Sequence, residues 1–128
     1  VIVKDNQIIG RGYNQPISSS DPTAHAEIIA LREAAMYLGN YRLVGCTLYV
    51  TIEPCTMCAG AMVHARIKQL VYGASEPKSG VVTSNALLLE SDYLNHRIEC
   101  LGGVLEAQCS GLISNFFRRR RQARKADR

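Results

Sequence analysis

What this chain of 128 residues lacks narrows its class before any motif is considered. No apolar run approaches the roughly 20 residues that a membrane span requires, so a spanning helix is excluded. No signal peptide is visible, and a cytoplasmic location with no membrane partner is expected. The cysteines do not come in an even set: there are five, which argues against a disulfide framework. Reduced thiols suit a metal site in a reducing cytosol. An initiating methionine is also missing. The chain opens at Val1 in what already reads as a strand, so a preceding piece is expected to be absent.

What is present is a core-forming chain with 47% hydrophobic residues. At this length it is expected to form one domain over residues 1–128, with no room for a second.

Two short segments carry the chemistry. His25-Ala26-Glu27 supplies an imidazole and a carboxylate, and Pro54-Cys55-Thr56-Met57-Cys58 supplies two thiols. His25, Cys55 and Cys58 make three ligands, and catalytic zinc takes three protein ligands and leaves the fourth position for water. Glu27 is a hard, mobile donor beside two thiolates, so it is read as free for proton transfer rather than as a fourth ligand. Zinc lowers the pKa of bound water to about 7 in favourable sites, which makes hydroxide available at neutral pH.

Neither segment is sufficient alone. CxxC serves equally as a structural zinc knuckle or a redox pair, and HxE by itself says little. A structural site needs a fourth ligand, and Cys46, Cys100, Cys109, His64 and His96 show no suitable paired spacing. These five are read as structural. HxE followed by PCxxC, with thirty-three residues from His25 to Cys58, is the established signature of zinc nucleobase deaminases.

Local structure is expected to suit that order. Asp21 is expected to cap a helix with Pro22 in its first position, and residues 24–38 continue it with good helix formers. His25 and Glu27 then fall in its opening turns. Cys55 and Cys58, three apart, share one face of a second helix over 55–66, again directly after a proline. Both ligand sets would lie at helix N-termini, where the macrodipole favours thiolates and hydroxide.

Elsewhere strands and helices alternate. Residues 1–4 and 7–13 flank Asp5-Asn6 as a hairpin. Gly39-Asn40 ends the first helix, and residues 46–52 and 69–72 read as strands on either side of the second. Strand, helix, strand at these lengths implies a right-handed parallel crossover, hence a mixed sheet covered by helices. Residues 74–97 read as a loop region near the site, with a helical turn over 86–89, and 98–101 reads as a further strand.

Beyond Gly102-Gly103, Leu105, Cys109, Leu112, Ile113 and Phe116 recur at helical spacing and predict a final amphipathic helix over 106–128. It runs into Arg118, Arg119, Arg120, Arg121, Arg124, Lys125 and Arg128, a net of +6 once Asp127 is counted, against +4 for the whole chain. The remaining residues are therefore net acidic. The positive charge is gathered at one end, as in a phosphate-binding element, although a solvated tail has the same composition. Of Phe116 and Phe117, which have the shape to stack on bases, at least one is expected in the core.

Nearly the whole chain resembles the bacterial tRNA-specific adenosine deaminases of the cytidine/deoxycytidylate deaminase superfamily. The resemblance runs through GYNQPI at 12–17, DPTAHAEIIALREA at 21–34, NYRL at 40–43, TLYVTIEPCTMCAGAMVHARI at 47–67, VYGASEPKSG at 71–80, NHR at 95–97 and FFRRRRQ at 116–122. It implies an α/β fold of the cytidine deaminase-like type, a three-layer sandwich with a central mixed β-sheet flanked by helices. It also implies a homodimer whose interface helps form the RNA-binding surface.

By the same resemblance His25, Cys55 and Cys58 hold one Zn2+ per subunit and Glu27 shuttles protons. Asn14, Ala26 and Pro54 contact the substrate nucleotide. Lys78, Phe117 and the Arg118, Arg119, Arg120, Arg121 run fall where the family touches the tRNA anticodon stem-loop. The implied reaction is hydrolytic deamination of the wobble adenosine, position 34 of an arginine tRNA with an ACG anticodon, to inosine. A free-base or nucleotide deaminase acting on guanine or cytosine would keep the zinc set without needing the arginine run. A noncatalytic RNA-binding zinc module would keep both and not need Glu27.

Two departures stand out. Family members begin with a further helix and an earlier start to the first strand; without them, core exposure is expected to weaken folding. Glu76 stands where the family commonly has Asp, in the loop facing the RNA.

Overall fold

Asp5 and Asn6 both adopt left-handed backbone, with φ of 50° and 62°. That is the requirement of a tight two-residue hairpin, and it joins β1 (Ile2–Lys4) to β2 (Gln7–Gly10). The computed structural model describes residues 1–126. After the hairpin come α1 (Ala26–Leu38), β3 (Thr47–Ile52), α2 (Thr56–Ala65), β4 (Gln69–Ala74), a 3₁₀ turn at Leu88–Glu90, β5 (Glu99–Leu101) and α3 (Glu106–Ala126). Asp127 and Arg128, which belong to the predicted basic helix, lie outside the described residues.

The strands form one mixed sheet in the order β2-β1-β3-β4-β5. β1 runs antiparallel to β2 and β3, while β3, β4 and β5 are parallel. β3, α2 and β4 therefore make the expected parallel crossover. Register places Ile2 beside Leu48 and Leu48 beside Leu70, and all three are essentially inaccessible, at 0%, 1% and 0%. They point to one face, where α1 and α2 pack together and Met62 is fully buried. Burying each such side chain contributes about 1.5–3 kcal/mol.

The other face receives α3, which packs on β3 and β4. Alternation along β4 separates the layers: Leu70 and Tyr72 join the α1/α2 core, whereas a Cβ added at Gly73 would meet Cys109 Sγ of α3 at 2.4 Å. The three-layer α/β sandwich follows.

Several boundaries differ from the sequence expectation for identifiable reasons. β2 ends at Gly10 rather than at 13, because the chain there presses onto α1: a Cβ at Gly12 would lie 2.2 Å from the Ala26 carbonyl oxygen. Asp21 does not cap α1. Its Oδ1 accepts hydrogen bonds from the Thr23 N–H (2.8 Å) and hydroxyl (2.7 Å), closing a turn, and the helix starts only at Ala26. The helical turn expected over 86–89 is the 3₁₀ turn displaced to Leu88–Glu90. No residue of α3 is buried, and Phe116 and Phe117 are each 53% exposed, so neither belongs to the core. The sheet covers only the first part of the stripe, where Cys109, Gly111 and Ile113 are partly buried, and does not reach Phe116.

Gly39 closes α1 in left-handed conformation (φ 64°), and Arg66 does the same for α2 (φ 60°). The NHR stretch braces the turn that follows: Arg66 donates to the Asn95 carbonyl at 3.1 Å, and His96 Nε2 donates to the Ile67 carbonyl at 2.7 Å. Arg97 donates to the Ser91 carbonyl at 3.0 Å.

Candidate active site

β3 delivers the chain at its carboxyl end directly into Glu53, Pro54 and Cys55, and open α/β sheets hold their ligands at that end. Cys55 is the N-cap residue of α2 and Cys58 lies one turn in, so their thiols share a face. His25 occupies the N-cap position of α1 with extended backbone (ψ 154°) and makes no side-chain cap. Two helix N-termini thus converge, and both present partial positive charge to the same point.

The three donors meet there. His25 Nδ1 lies 3.6 Å from Cys55 Sγ and 3.5 Å from Cys58 Sγ. Among the described residues this is the one His/Cys/Asp/Glu trio whose donor atoms all fall within 4.8 Å of one another. Burial pushes the Cys58 thiol far up from its ordinary value, and the Glu27 carboxylate and Cys55 push it further. One imidazole and two thiols with room for a fourth ligand fit zinc, and a closed structural site would need a fourth protein donor.

Glu27, 8% exposed in the first turn of α1, borders the trio without joining it. A cleft of about 350 Å³ opens in front, walled by Tyr13, Asn14, His25, Glu27, Glu76 and Ser79 among others. At that volume the cleft has room for one flat heterocycle beside His25, Cys55 and Glu27. A larger cavity of about 490 Å³, between α2 and residues 88–95, contains no such trio.

The substrate residues expected from sequence are placed unequally. Asn14 walls the cleft, and its Oδ1 accepts the Ala26 N–H at 2.8 Å. Ala26 also walls the cleft, with that N–H committed to Asn14. Pro54 is buried, and its carbonyl accepts the Val81 N–H at 3.1 Å. Lys78 is exposed on the loop after β4, while its neighbours Glu76 and Ser79 reach the cleft wall. Arg118 to Arg121 and Phe117 are exposed on α3 and do not line the cleft.

Sequence reading missed Glu53. It is 2% exposed, and its carboxylate accepts N–H groups from Glu76, Val82, Thr83 and Ser84. Burial raises its pKa, but the Ser84 hydroxyl and the surrounding amides outweigh this and hold it at about 2. The available signal was a lone charge between an apolar strand and the ligand helix, in TLYVTIEPC.

A mixed sheet sandwiched by helices, with an HxE/PCxxC donor trio at the strand ends, defines a deaminase of the cytidine deaminase-like fold. The model of the MafB19-like deaminase family matches residues 1–121. The tRNA-specific adenosine deaminase of Haemophilus influenzae is 52% identical over 129 residues, covering 100% of this chain and 75% of that one. Its namesake in Bacillus subtilis is 44% identical, covering 100% and 80%. A solved structure from work on A-to-I editing by tRNA:A34 deaminases superposes with a TM-score of 0.84 at 42% identity, over 87% of this chain and 80% of that chain. A guanine deaminase from Bacillus subtilis superposes with 0.60 at 36% identity, over 89% and 75%. The chain belongs to the MafB19-like deaminases and, among them, to the tRNA-specific adenosine deaminase family.

Proposed function

We propose that this protein hydrolyses the wobble adenosine of a tRNA anticodon loop to inosine and ammonia. The observation that carries the reading is the meeting of His25, Cys55 and Cys58 beside a Glu27 that is buried yet borders the cleft. His25 Nδ1 and the two thiolates would hold zinc, which when bound supplies an activated water for attack at C6 of the purine. Glu27 takes the proton released by that water and delivers one to N1. It then carries a second to the departing amine, so each turnover consumes one water and releases one ammonia.

Asn14 fixes the orientation of the base. Its Oδ1 is committed to Ala26, so Nδ2 is the group left to face the cleft, and it donates to an acceptor nitrogen of the flipped purine. Reaching this pocket requires the base to leave its stack, which is inexpensive in a single-stranded loop.

The exposed Arg118 to Arg121 run, with Phe117 and Lys78, supplies the polyanion grip. Substrate is therefore a folded tRNA, an arginine tRNA with an ACG anticodon being the proposed case, and the location is the cytoplasm. Among the described residues no helix is long and apolar enough to cross a membrane. An apolar groove bordered by Ile28, Leu31 and Ala35 of α1 and by Ala61 of α2 supports a homodimer. The likeness to a guanine deaminase favours a second reading, free guanine as substrate.

The test incubates zinc-loaded protein with that tRNA, free adenosine, guanine and cytidine, and identifies products by mass spectrometry. Inosine at the wobble position is expected. Turnover of free guanine alone would replace the tRNA reading with the second one.

A further inference from the structure

Two charged side chains are buried among the described residues, Glu27 and Glu53, and the reaction uses only the first. Glu53 has no cationic partner: the one ion pair among the described residues joins Arg32 to Asp21. Its charge is held by hydrogen-bond donors alone. Oε2 accepts the N–H groups of Val82, Thr83 and Ser84, each at 2.9 Å. Oε1 accepts the Glu76 N–H at 3.1 Å and the Ser84 hydroxyl.

All of these donors belong to one segment, residues 76–84, and that segment supplies Glu76 and Ser79 to the cleft wall. The carboxylate fills the inside of the loop: a Cβ at Gly80 would lie 2.5 Å from Glu53 Cδ and 2.6 Å from Oε1. Apolar side chains could pin a loop at lower desolvation cost. What a carboxylate adds is direction, because three successive amides must aim at one oxygen.

We propose that Glu53 is a positioning residue. Its carboxylate templates segment 76–84 into the wall that receives the nucleotide, and so acts on substrate binding rather than on the chemical step. The binding half rests on the adenosine deaminase reading; the templating half does not.

The test compares wild type, Glu53→Gln and Ser84→Ala as zinc-loaded full chains. Zinc content, amide hydrogen exchange of residues 76–84, and KM and kcat on tRNA are measured for each. Glu53→Gln places an NH2 group among N–H donors. It should keep one zinc per chain, exchange the Glu76, Val82, Thr83 and Ser84 amides roughly tenfold faster while α1 is unchanged, and raise KM by about tenfold with kcat nearly constant, the pattern of lost uniform binding. Ser84→Ala removes only the hydroxyl and should move the same observables less, in the same direction.

Unchanged exchange in 76–84 would overturn the proposal, as would a fall in kcat with KM constant. If Glu53→Gln does not fold, Ser84→Ala decides by the same criteria. If wild type makes no inosine, the function reading fails, and the exchange measurement still decides whether Glu53 templates the loop.

Discussion

Asn14 Oδ1 accepts the main-chain N–H of Ala26 across twelve residues, at 2.8 Å. The bond satisfies an orphan donor in the first turn of α1, which His25 at the N-cap leaves uncapped because its ring is turned to the thiols. One side chain thus caps the ligand helix with its oxygen and also walls the cleft. Asn14→Ala should lose both functions, with a stability cost of about 1 kcal/mol and reduced turnover. Asn14→Asp keeps the accepting oxygen, and a negative charge is favourable at a helix N-terminus. It should melt like wild type and still lose turnover. Chemical denaturation beside tRNA kinetics checks the pair; an active Asn14→Asp would remove Asn14 from substrate contact.

Metal removal should separate folding from chemistry. A ligand that binds only the folded chain stabilises it by about 2.7 kcal/mol at 100 times its Kd. A chelator should therefore lower the melting midpoint by on the order of 10 °C and abolish turnover, and zinc should restore both. Glu27→Gln should retain zinc and a near-native midpoint while turning over roughly 10²–10⁴-fold more slowly. Zinc loss in that variant would make Glu27 a ligand instead of the proton carrier.

Gly73 of β4 and Gly111 of α3 should respond to alanine with opposite signs. At Gly73 the new methyl would lie 2.4 Å from Cys109 Sγ and 2.8 Å from the Thr51 carbonyl oxygen, so strand or helix must move. A loss of about 1–3 kcal/mol is expected. At Gly111, inside α3, nothing lies within 4 Å, and the substitution should stabilise by about 0.5–1 kcal/mol. Urea titrations of both variants check this; equal effects would mean that α3 does not seat on β4 at Gly73.

The parts legible in the sequence were those fixed by short-range patterns. Alternation and β-branched residues located β3 and β4, Asp5-Asn6 located the hairpin, and spacing located the donor trio. The start of α1 was not legible. Asp21-Pro22 has good capping chemistry, but a turn closed on Thr23 consumes it and the cap comes from Asn14, far back in the chain. Glu53 was hidden for the same reason, since its partners lie 23 to 31 residues away. Phe116 and Phe117 share the periodicity of core residues, yet they pack edge-to-face on each other, with centroids 5.5 Å apart, and remain half exposed.

The exposed end of α3 offers charge and stacking together, and salt dependence can tell them apart. Arg118 donates to Asn115 Oδ1 at 2.9 Å, and the Arg120 guanidinium lies 5.7 Å from the Phe116 ring centroid, whereas Arg119 and Arg121 are exposed. Each phosphate contact on a single strand contributes about 0.7 to the slope of log K against log salt. Replacing Arg119 and Arg121 with Gln should therefore flatten the slope by roughly 1.4 if each makes one contact. Phe117→Ala removes no charge. It should weaken tRNA binding by about 1–3 kcal/mol at every salt concentration and leave the slope unchanged, which is the behaviour of a stacking platform. Fluorescence titrations with the anticodon stem-loop across a salt series measure both quantities. If neither variant changes slope or intercept, α3 is a solvated helix and the RNA grip lies elsewhere on the molecule.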